Sequence, residues 1–460
     1  MHSRLGTRIR LLGLAAVGAL TVAACGAGGG SGATGGGGSG GGGNAVRVLM
    51  VNNPQQVELQ ALTSQYFTKQ TGIKVDFKVL PENDVRNAIN QDVSNQAGQY
   101  DVVSISNFET PFFAKNHWLT PLTSYIANDP SFDVNDVLKP MRTSLTGPNG
   151  QLYAVPFYGE SSFLMYRKDI FAKLHLKMPM HPTWPQVAAL AQRLNGAQPG
   201  MKGICLRGQP GWGEVVAPLT TVVNTYGGTW FTKNWQAQLT ASPFENATNF
   251  YVNLVQKYGE PGAAESGFTE CLNDMSQSKV AMWYDATSAA GALEDPSSSK
   301  VVGKIGYVFA PTLRTPYSGW LYTWAWGLEN TTKGKAAQNA WKFMSWASSK
   351  AYEQLVARKQ GWASVPNGTR TSLYQNPAYQ KAASAFYNVT LQSIEHANVA
   401  SPGVQPRPTL GIQFVDIPQF ENLGTNVSQL ISNAIAGKTS VSSALSQSQS
   451  QAQSIGASQK

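Results

Sequence analysis

The chain has 460 residues, of which 42% are hydrophobic and 13% are charged, and its formal net charge is +9. The basic residues are spread along the chain without a lysine- and arginine-rich block, which argues against a nucleic-acid partner. The length exceeds what a single hydrophobic core usually organises, so two lobes are expected.

The first 25 residues have the pattern of a secretory leader. Three arginines precede the apolar run 11–24, and Cys25 follows it directly. The run is shorter than the ~20 apolar residues of a membrane-spanning helix and ends in small residues, so we expect cleavage. Removal of the leader leaves 32 basic and 26 acidic residues, a net charge of +6.

The small residues before Cys25 resemble a bacterial lipobox, in which this cysteine becomes the lipidated first residue of the mature protein. An ordinary signal peptide with an incidental cysteine is the alternative. Residues 26–44 are nearly all glycine, a composition that cannot bury a core and behaves as a flexible tether. We therefore expect an extracytoplasmic protein that a lipid anchors to the cell membrane.

The first predicted elements alternate between strands and helices. Residues 46–51 indicate a buried strand, a helix ends at Gly72, residues 73–79 alternate as a second strand, and a polar helical stretch leads to a third strand at 100–105. This β-α-β-α-β order predicts a parallel α/β sheet. Ligands of such sheets bind beyond the carboxyl ends of the strands, so the loops at Asn52 and Ser106 are cleft candidates.

Later segments predict further helices and strands. A helix that begins around 182–185 should end near Gly196, and the apolar strand 280–283 should precede Asp285. Two more helices are expected around 336–351 and 427–436, followed by a Ser/Gln-rich tail from Ser440.

Catalytic and cofactor motifs do not stand out in the sequence. It contains no glycine-rich phosphate loop with its lysine, no paired histidine metal motif and no Gly-x-Ser-x-Gly elbow, and its five histidines are isolated. We predict a protein that is not an enzyme and needs neither cofactor nor metal. A secreted glycoside-active enzyme that uses Glu160, Glu214 or Asp285 is the alternative.

Seven segments follow one another in a recognisable order. They are PFYGESS (156–162), MYRKD (165–169), GICLRGQPGWGE (203–214), AMWYDAT (281–287), GWLYTW (319–324), GTR (368–370) and GIQFV (411–415). Together they resemble the extracellular solute-binding proteins of carbohydrate ABC importers, and most of all the sorbitol- and mannitol-binding type.

This resemblance implies an α/β, two-lobed, type II periplasmic-binding-protein-like fold with a hinge between the lobes. One lobe would contain residues 45–157 and 312–388, and the other residues 158–311 and 389–460. The ligand would lie between the lobes and close them, and the loaded monomer would deliver it to the ABC permease subunits.

A small neutral polyol such as sorbitol, mannitol or arabitol is the expected ligand. A site for it must supply donors and acceptors matched to vicinal hydroxyls. Arg207 offers forked donors to two adjacent oxygens, with a salt bridge between helices as the alternative. Asp285 would accept from paired hydroxyls, with helix capping as the alternative.

The remaining candidate ligand residues follow from their positions in these segments. Glu160 and Tyr158 lie where the chain would first cross between the lobes. Trp212 and Trp320 stand beside glycines and offer an aromatic face or simply pack in the core. Arg370 follows a turn and either reaches the cleft or fixes its loop.

Three candidates belong to the first lobe. Asn52 and Asn53 follow the first strand and Glu109 follows the third, although loop turn chemistry explains such residues equally well.

Two cysteines, Cys205 and Cys271, remain after Cys25. An exported location permits a disulfide between them, and two buried free thiols are the alternative.

Several positions depart from the family pattern, among them Phe108, Tyr284 and Tyr322. Because these departures cluster near the expected cleft, they leave other ligands open. A mono-, di- or oligosaccharide or a glycerophosphodiester is the alternative.

Overall fold

The computed structural model describes residues 45–460, so the predicted leader, Cys25 and the glycine-rich tether lie outside the described residues. The strands in this range are β1 (Ala45–Val51), β2 (Lys74–Leu80), β3 (Val102–Ser106), β4 (Ala154–Glu160), β5 (Ser162–Arg167), β6 (Met282–Ala286), β7 (Ile305–Phe309) and β8 (Tyr322–Leu328).

The helices are distributed along the whole described range. The first nine are α1 (Pro54–Thr63), α2 (Lys69–Thr71), α3 (Glu82–Asn95), α4 (Thr110–Lys115), α5 (Thr123–Ala127), α6 (Lys139–Ser144), α7 (Lys168–Lys173), α8 (Trp184–Leu194) and α9 (Val216–Tyr226). The others are α10 (Ser242–Tyr258), α11 (Phe268–Ser276), α12 (Ala289–Leu293), α13 (Gly334–Ala347), α14 (Lys350–Gln360), α15 (Thr371–Tyr374), α16 (Pro377–Ala382), α17 (Tyr387–Glu395), α18 (Phe420–Ile435) and α19 (Val441–Ser458).

The larger sheet has the strand order β2-β1-β3-β8-β4. β1 pairs in parallel with β2 and β3, which confirms the β-α-β-α-β opening. β8 runs antiparallel between β3 and β4. The interior strands are buried along nearly their whole length because helices cover the sheet, whereas β2 at the edge alternates between exposed and partly buried residues.

The smaller sheet has the order β6-β5-β7 with antiparallel pairing throughout. Ser161 is the single residue between β4 of the larger sheet and β5 of the smaller one, so the chain passes directly from one sheet to the other. It returns between β7 and β8, and α17 then packs on β5 and β7. The predicted boundary after Phe157 falls within β4, because pairing with β8 continues to Glu160.

Local chemistry explains several helix ends. The predicted helix after Pro182 is confirmed as α8, where Thr183 and Gln186 form a reciprocal capping box. The predicted helix over 336–351 is wrong in being continuous, because α13 ends at Ala347 and the Ser349 side chain caps α14.

Two further elements differ from expectation. Asp285 lies inside β6 rather than after a strand. The Ser/Gln-rich tail forms α19, which packs against α18. α19 also packs closely on the loop that contains Trp235, because a Cβ at Gly456 would lie 2.1 Å from the carbonyl oxygen of Trp235. Among the helices of residues 45–460, none combines the length and the apolar character that a membrane span requires.

Candidate functional site

A small cavity lies between the two sheets. Its volume is about 20 Å³, room for roughly one water molecule and far below the ~300–1,000 Å³ of typical ligand pockets. The walls of the cleft are therefore in contact. The cavity is lined by Asn53, Glu82, Arg86, Glu160, Arg207, Gly213, Ala217, Phe268, Ala286, Ser288, Trp320, Tyr322, Trp324, Gln413 and Phe414.

Arg207 lines the cavity, and its guanidinium donates to acceptors of the protein. Nε and Nη2 donate to the two carboxylate oxygens of Asp285 at 2.8 and 2.7 Å, and Nη1 donates to the Gly213 carbonyl and to Glu214. Asp285 is fully buried in β6 and also accepts from Trp283 Nε1. A carboxylate thus occupies the fork that we expected to meet two ligand oxygens, and a role of Arg207 in ligand binding stays a prediction. Asp285 does not line the cavity and acts by fixing Arg207.

Glu160 ends β4 at the cavity wall. Its side chain is 6% exposed, and its Oε2 accepts a hydrogen bond from Ser288 Oγ at 2.5 Å. This bond links the end of β4 in the larger sheet to the segment that follows β6 of the smaller sheet. Burial raises the pKa of Glu160 to about 8, although the Ser288 hydrogen bond and the charge of Arg207 oppose this rise. Tyr158 lies behind the wall, where its hydroxyl accepts from Asn53 Nδ2 at 2.9 Å.

Arg86 and Glu82, which sequence reasoning missed, come from the first turns of α3. Arg86 Nη2 donates to Glu82 at 2.7 Å and to the Tyr322 hydroxyl at 2.8 Å. The guanidinium carbon lies 4.0 Å from the ring centre of Trp212. Arg86 Nε and Nη1 are buried and have no hydrogen-bond partner among the described residues. Two N–H-bearing atoms of a cavity residue are therefore available to a ligand.

The signal for this pair was weak. A glutamate four residues before an arginine is an ordinary helix-surface pair, so Glu82 and Arg86 look solvated in the sequence. One usable clue exists: α3 starts directly after β2, at the carboxyl end of a parallel strand, where ligands of such sheets lie.

Aromatic side chains form much of the remaining wall. Trp320 is buried and lines the cavity, and its Nε1 has no acceptor within residues 45–460. Trp324 also lines the cavity. Trp212 does not line it but packs against Phe108 and Phe414 at ring-centre distances of 4.9 and 5.0 Å. The cavity thus combines polar groups with aromatic faces.

Three predicted residues lie elsewhere. Arg370 is 1% exposed, and its guanidinium donates to the carbonyl oxygens of Phe132, Asp133 and Ser348. These bonds fix Arg370 to loops of the lobe that contains the larger sheet, which agrees with the alternative role of fixing its loop. Asn52 is exposed and does not line the cavity.

Glu109 is buried one layer behind the cavity. Its carboxylate accepts from the backbone N–H and the hydroxyl of Ser106, and it lies 4.0 Å from Arg86 Nη1. It supports the loop after β3 and the charge of Arg86 rather than lining the cavity.

A disulfide joins Cys205 and Cys271. The disulfide connects helix α11 with the extended segment that precedes Arg207. The first residue of α11, Phe268, lines the cavity. The covalent link therefore holds two cavity residues on one rigid support.

Two α/β lobes around a small polar cavity are typical of solute-binding proteins that hold a small molecule between their lobes. Residues 52–354 match the family of bacterial extracellular solute-binding proteins, and the chain belongs to this family. The predicted family, the type II two-lobed fold and the role of a binding protein rather than an enzyme are confirmed.

Individual relatives resemble most of the chain. The mannitol-binding protein of Pseudomonas aeruginosa is 38% identical over 403 residues, which cover 87% of this chain and 91% of that protein. The erythritol/L-threitol-binding protein of Mycolicibacterium smegmatis is 24% identical over 381 residues, which cover 76% and 79%. The crystal structure of an ABC transporter solute-binding protein from Agrobacterium vitis with bound D-mannitol is 42% identical with a TM-score of 0.86, and the match covers 89% of this chain and 98% of that one.

Proposed function

We propose that this protein captures a small neutral polyol, such as mannitol, sorbitol or arabitol, in the cavity between its lobes and delivers it to an ABC permease. The relatives named for mannitol and for erythritol or L-threitol support this ligand class. So does the similarity to a structure that holds D-mannitol.

The observation that carries the proposal is the mixture of unpaired groups in the cavity. Arg86 and Trp320 present buried donors without acceptors, and Glu160 presents a carboxyl group with one uncommitted oxygen. Each hydroxyl of a polyol both donates and accepts, so a chain of vicinal hydroxyls can satisfy both kinds of group. Trp320 and Trp324 offer faces to the C–H side of the carbon chain.

Closure of the lobes accompanies capture in this proposal. A cavity of about 20 Å³ admits no hexitol unless the walls move apart. Contacts between α3 and the loop around Gly213, such as Asn83 Nδ2 to the Pro210 carbonyl at 2.9 Å, would form as the lobes close. The permease could then distinguish loaded from empty protein by shape.

The other ligand classes fit the cavity less well. A di- or oligosaccharide needs a long groove, whereas this cavity has a volume of only about 20 Å³. A glycerophosphodiester needs spare positive charge, but Arg207 is paired with Asp285 and Glu214, and Arg86 is paired with Glu82.

Thermal unfolding of the purified protein with a ligand panel tests the proposal. The panel contains mannitol, sorbitol, arabitol, xylitol, common monosaccharides and trehalose. A polyol at 100 times its dissociation constant should stabilise the protein by ~2.7 kcal/mol. Stabilisation by trehalose alone, or by monosaccharides alone, would refute the polyol assignment.

Membrane attachment through Cys25 belongs to the same proposal. The apolar run, the small residues before the cysteine and the glycine-rich segment after it support a lipidated, extracytoplasmic protein. Cys25→Ser should move the protein from the membrane fraction to the medium. Retention of the variant in the membrane fraction would contradict the anchor.

A further inference from the structure

Glu160 differs from the other acidic groups around the cavity in lacking a cationic partner. Its Oε2 accepts from Ser288, while Oε1 receives no hydrogen bond and the carboxyl group forms no ion pair within the described range. Asp285 and Glu214, by contrast, are paired with Arg207 at 2.7 and 3.2 Å. The cavity therefore exposes one buried carboxyl group without a countercharge.

The surrounding charges do not supply that countercharge. Two guanidiniums, Arg86 and Arg207, are each committed to a carboxylate, and the acidic groups of the cluster outnumber them. The acidic groups are Glu82, Glu109, Glu160, Glu214 and Asp285. The ionisable groups that act on Glu160 are Arg207, Asp285, Glu82 and Tyr158. Burial of an acid in this setting favours its neutral form, in agreement with its raised pKa of about 8.

Three residues of the cavity wall each offer an oxygen acceptor. They are Glu160 through Oε1, Ser288 through Oγ, whose O–H donates to Glu160 Oε2, and Asn53 through Oδ1. Asn53 donates to Tyr158 through Nδ2, and its Oδ1 has no donor among residues 45–460. A primary ammonium group has three N–H donors and no acceptor, so it matches three acceptors and one negative charge.

We propose that the cavity also takes aminated alditols, polyols in which one terminal hydroxyl is replaced by a primary ammonium group that pairs with Glu160. The inference rests on the proposed polyol function, because the remaining hydroxyls use the donors of Arg86 and Trp320. An ammonium group is close in size to a hydroxyl, so it needs no additional space. An alkyl amine is protonated at neutral pH, as the lysine side chain is.

Calorimetry with matched ligand pairs tests this inference. The purified full-length protein is titrated at pH 7 with sorbitol and with 1-amino-1-deoxysorbitol, and likewise with mannitol and its 1-amino counterpart. We expect the aminated member of the better-binding pair to bind about tenfold more tightly. In Glu160→Gln this preference should disappear, whatever the absolute affinities of the variant.

A matched control separates local pairing from the general negative charge. Glu109→Gln removes the same charge from the cluster, but Glu109 does not line the cavity. The preference for the amine should persist in Glu109→Gln. Loss of the preference for the amine in both variants would show that the total negative charge of the cluster causes it. That result would overturn the pairing with Glu160.

A measurement on the unaltered protein covers the case in which Glu160→Gln does not fold. Titrations in buffers of different ionisation enthalpy give the protons taken up on binding. Binding of the polyol should take up more protons than binding of the amine, by up to one, because the ammonium group keeps Glu160 ionised. Equal uptake would overturn the inference.

Failure of this inference differs from failure of the proposed function. If the polyols bind and their amines bind no better, only the pairing with Glu160 is wrong. If no polyol and no amine binds, the polyol function itself is wrong.

Discussion

Replacing Gly213 with alanine should weaken ligand binding without disturbing either lobe. A Cβ at this position would lie 2.7 Å from Cζ and from Nη2 of Arg86 and 3.0 Å from Oε1 of Glu82. These atoms form a buried ion pair, so they cannot move aside freely. Overpacking of this kind costs ~1–3 kcal/mol. Because closure brings the two surfaces together, the dissociation constant should rise by roughly 5- to 150-fold.

Calorimetry of Gly213→Ala with the best-binding polyol measures this effect, and thermal unfolding without ligand reports on the fold. The melting temperature without ligand should change little if the open protein keeps the loop away from α3. Gly262→Ala is the control for affinity alone, because a Cβ on this surface residue would meet nothing within 4 Å, whereas its φ of +82° strains alanine and lowers stability. An unchanged affinity in Gly213→Ala would refute the idea that this loop closes onto Arg86.

Three further perturbations have defined outcomes. Arg370→Met should lower the free energy of unfolding in urea by about 3 kcal/mol or more, because it leaves buried carbonyl oxygens without donors. The affinity for polyols should stay unchanged. A large loss of affinity at unchanged stability would place Arg370 in the ligand site. Burial raises the pKa of Glu160 to about 8 and that of Glu329 to about 9, whereas unfolding restores values near 4.5. The free energy of unfolding should therefore fall as the pH rises from about 5 to 9, and it should fall less in Glu329→Gln. A rise of the unfolding free energy over this range would contradict the burial of these acids. Cys271→Ser removes a disulfide that spans a sequence separation of 66 residues, and it should lower the free energy of unfolding by about 4 kcal/mol. The unaltered protein should lose the same amount under reducing conditions. If the urea unfolding curves of the variant coincide with those of the oxidised unaltered protein, the disulfide adds no stability.

The sequence predicted the fold better than the cavity. Alternating strands and helices at the start of the chain are local patterns, so the parallel pairing of β1 with β2 and β3 could be predicted from residues 46–105. The antiparallel pairing of β8 with β3 joins segments more than 200 residues apart, and only the family resemblance implied such an arrangement.

The candidate ligand residues show the same division. Asn53, Glu160, Arg207 and Trp320 line the cavity, and their role in ligand binding stays a prediction. Arg370 does not line the cavity, and this could not be predicted because its partners, the carbonyl oxygens of Phe132 and Ser348, come from loops distant in the sequence.

Arg86 was missed for the opposite reason. Its nearest sequence partner, Glu82, explains it as a surface pair, while the groups that bury it, Trp212 and Tyr322, lie far along the chain. Burial of a charge by distant elements is a property of tertiary packing, so no local periodicity records it.

A crystal structure of the protein grown with D-mannitol tests the central claim most directly. The account predicts one polyol between the lobes, with hydroxyls within hydrogen-bond distance of the free N–H groups of Arg86, the indole nitrogen of Trp320 and the carboxyl group of Glu160. Mannitol bound outside this cavity, or a cavity without mannitol at a concentration that saturates binding in solution, would contradict it.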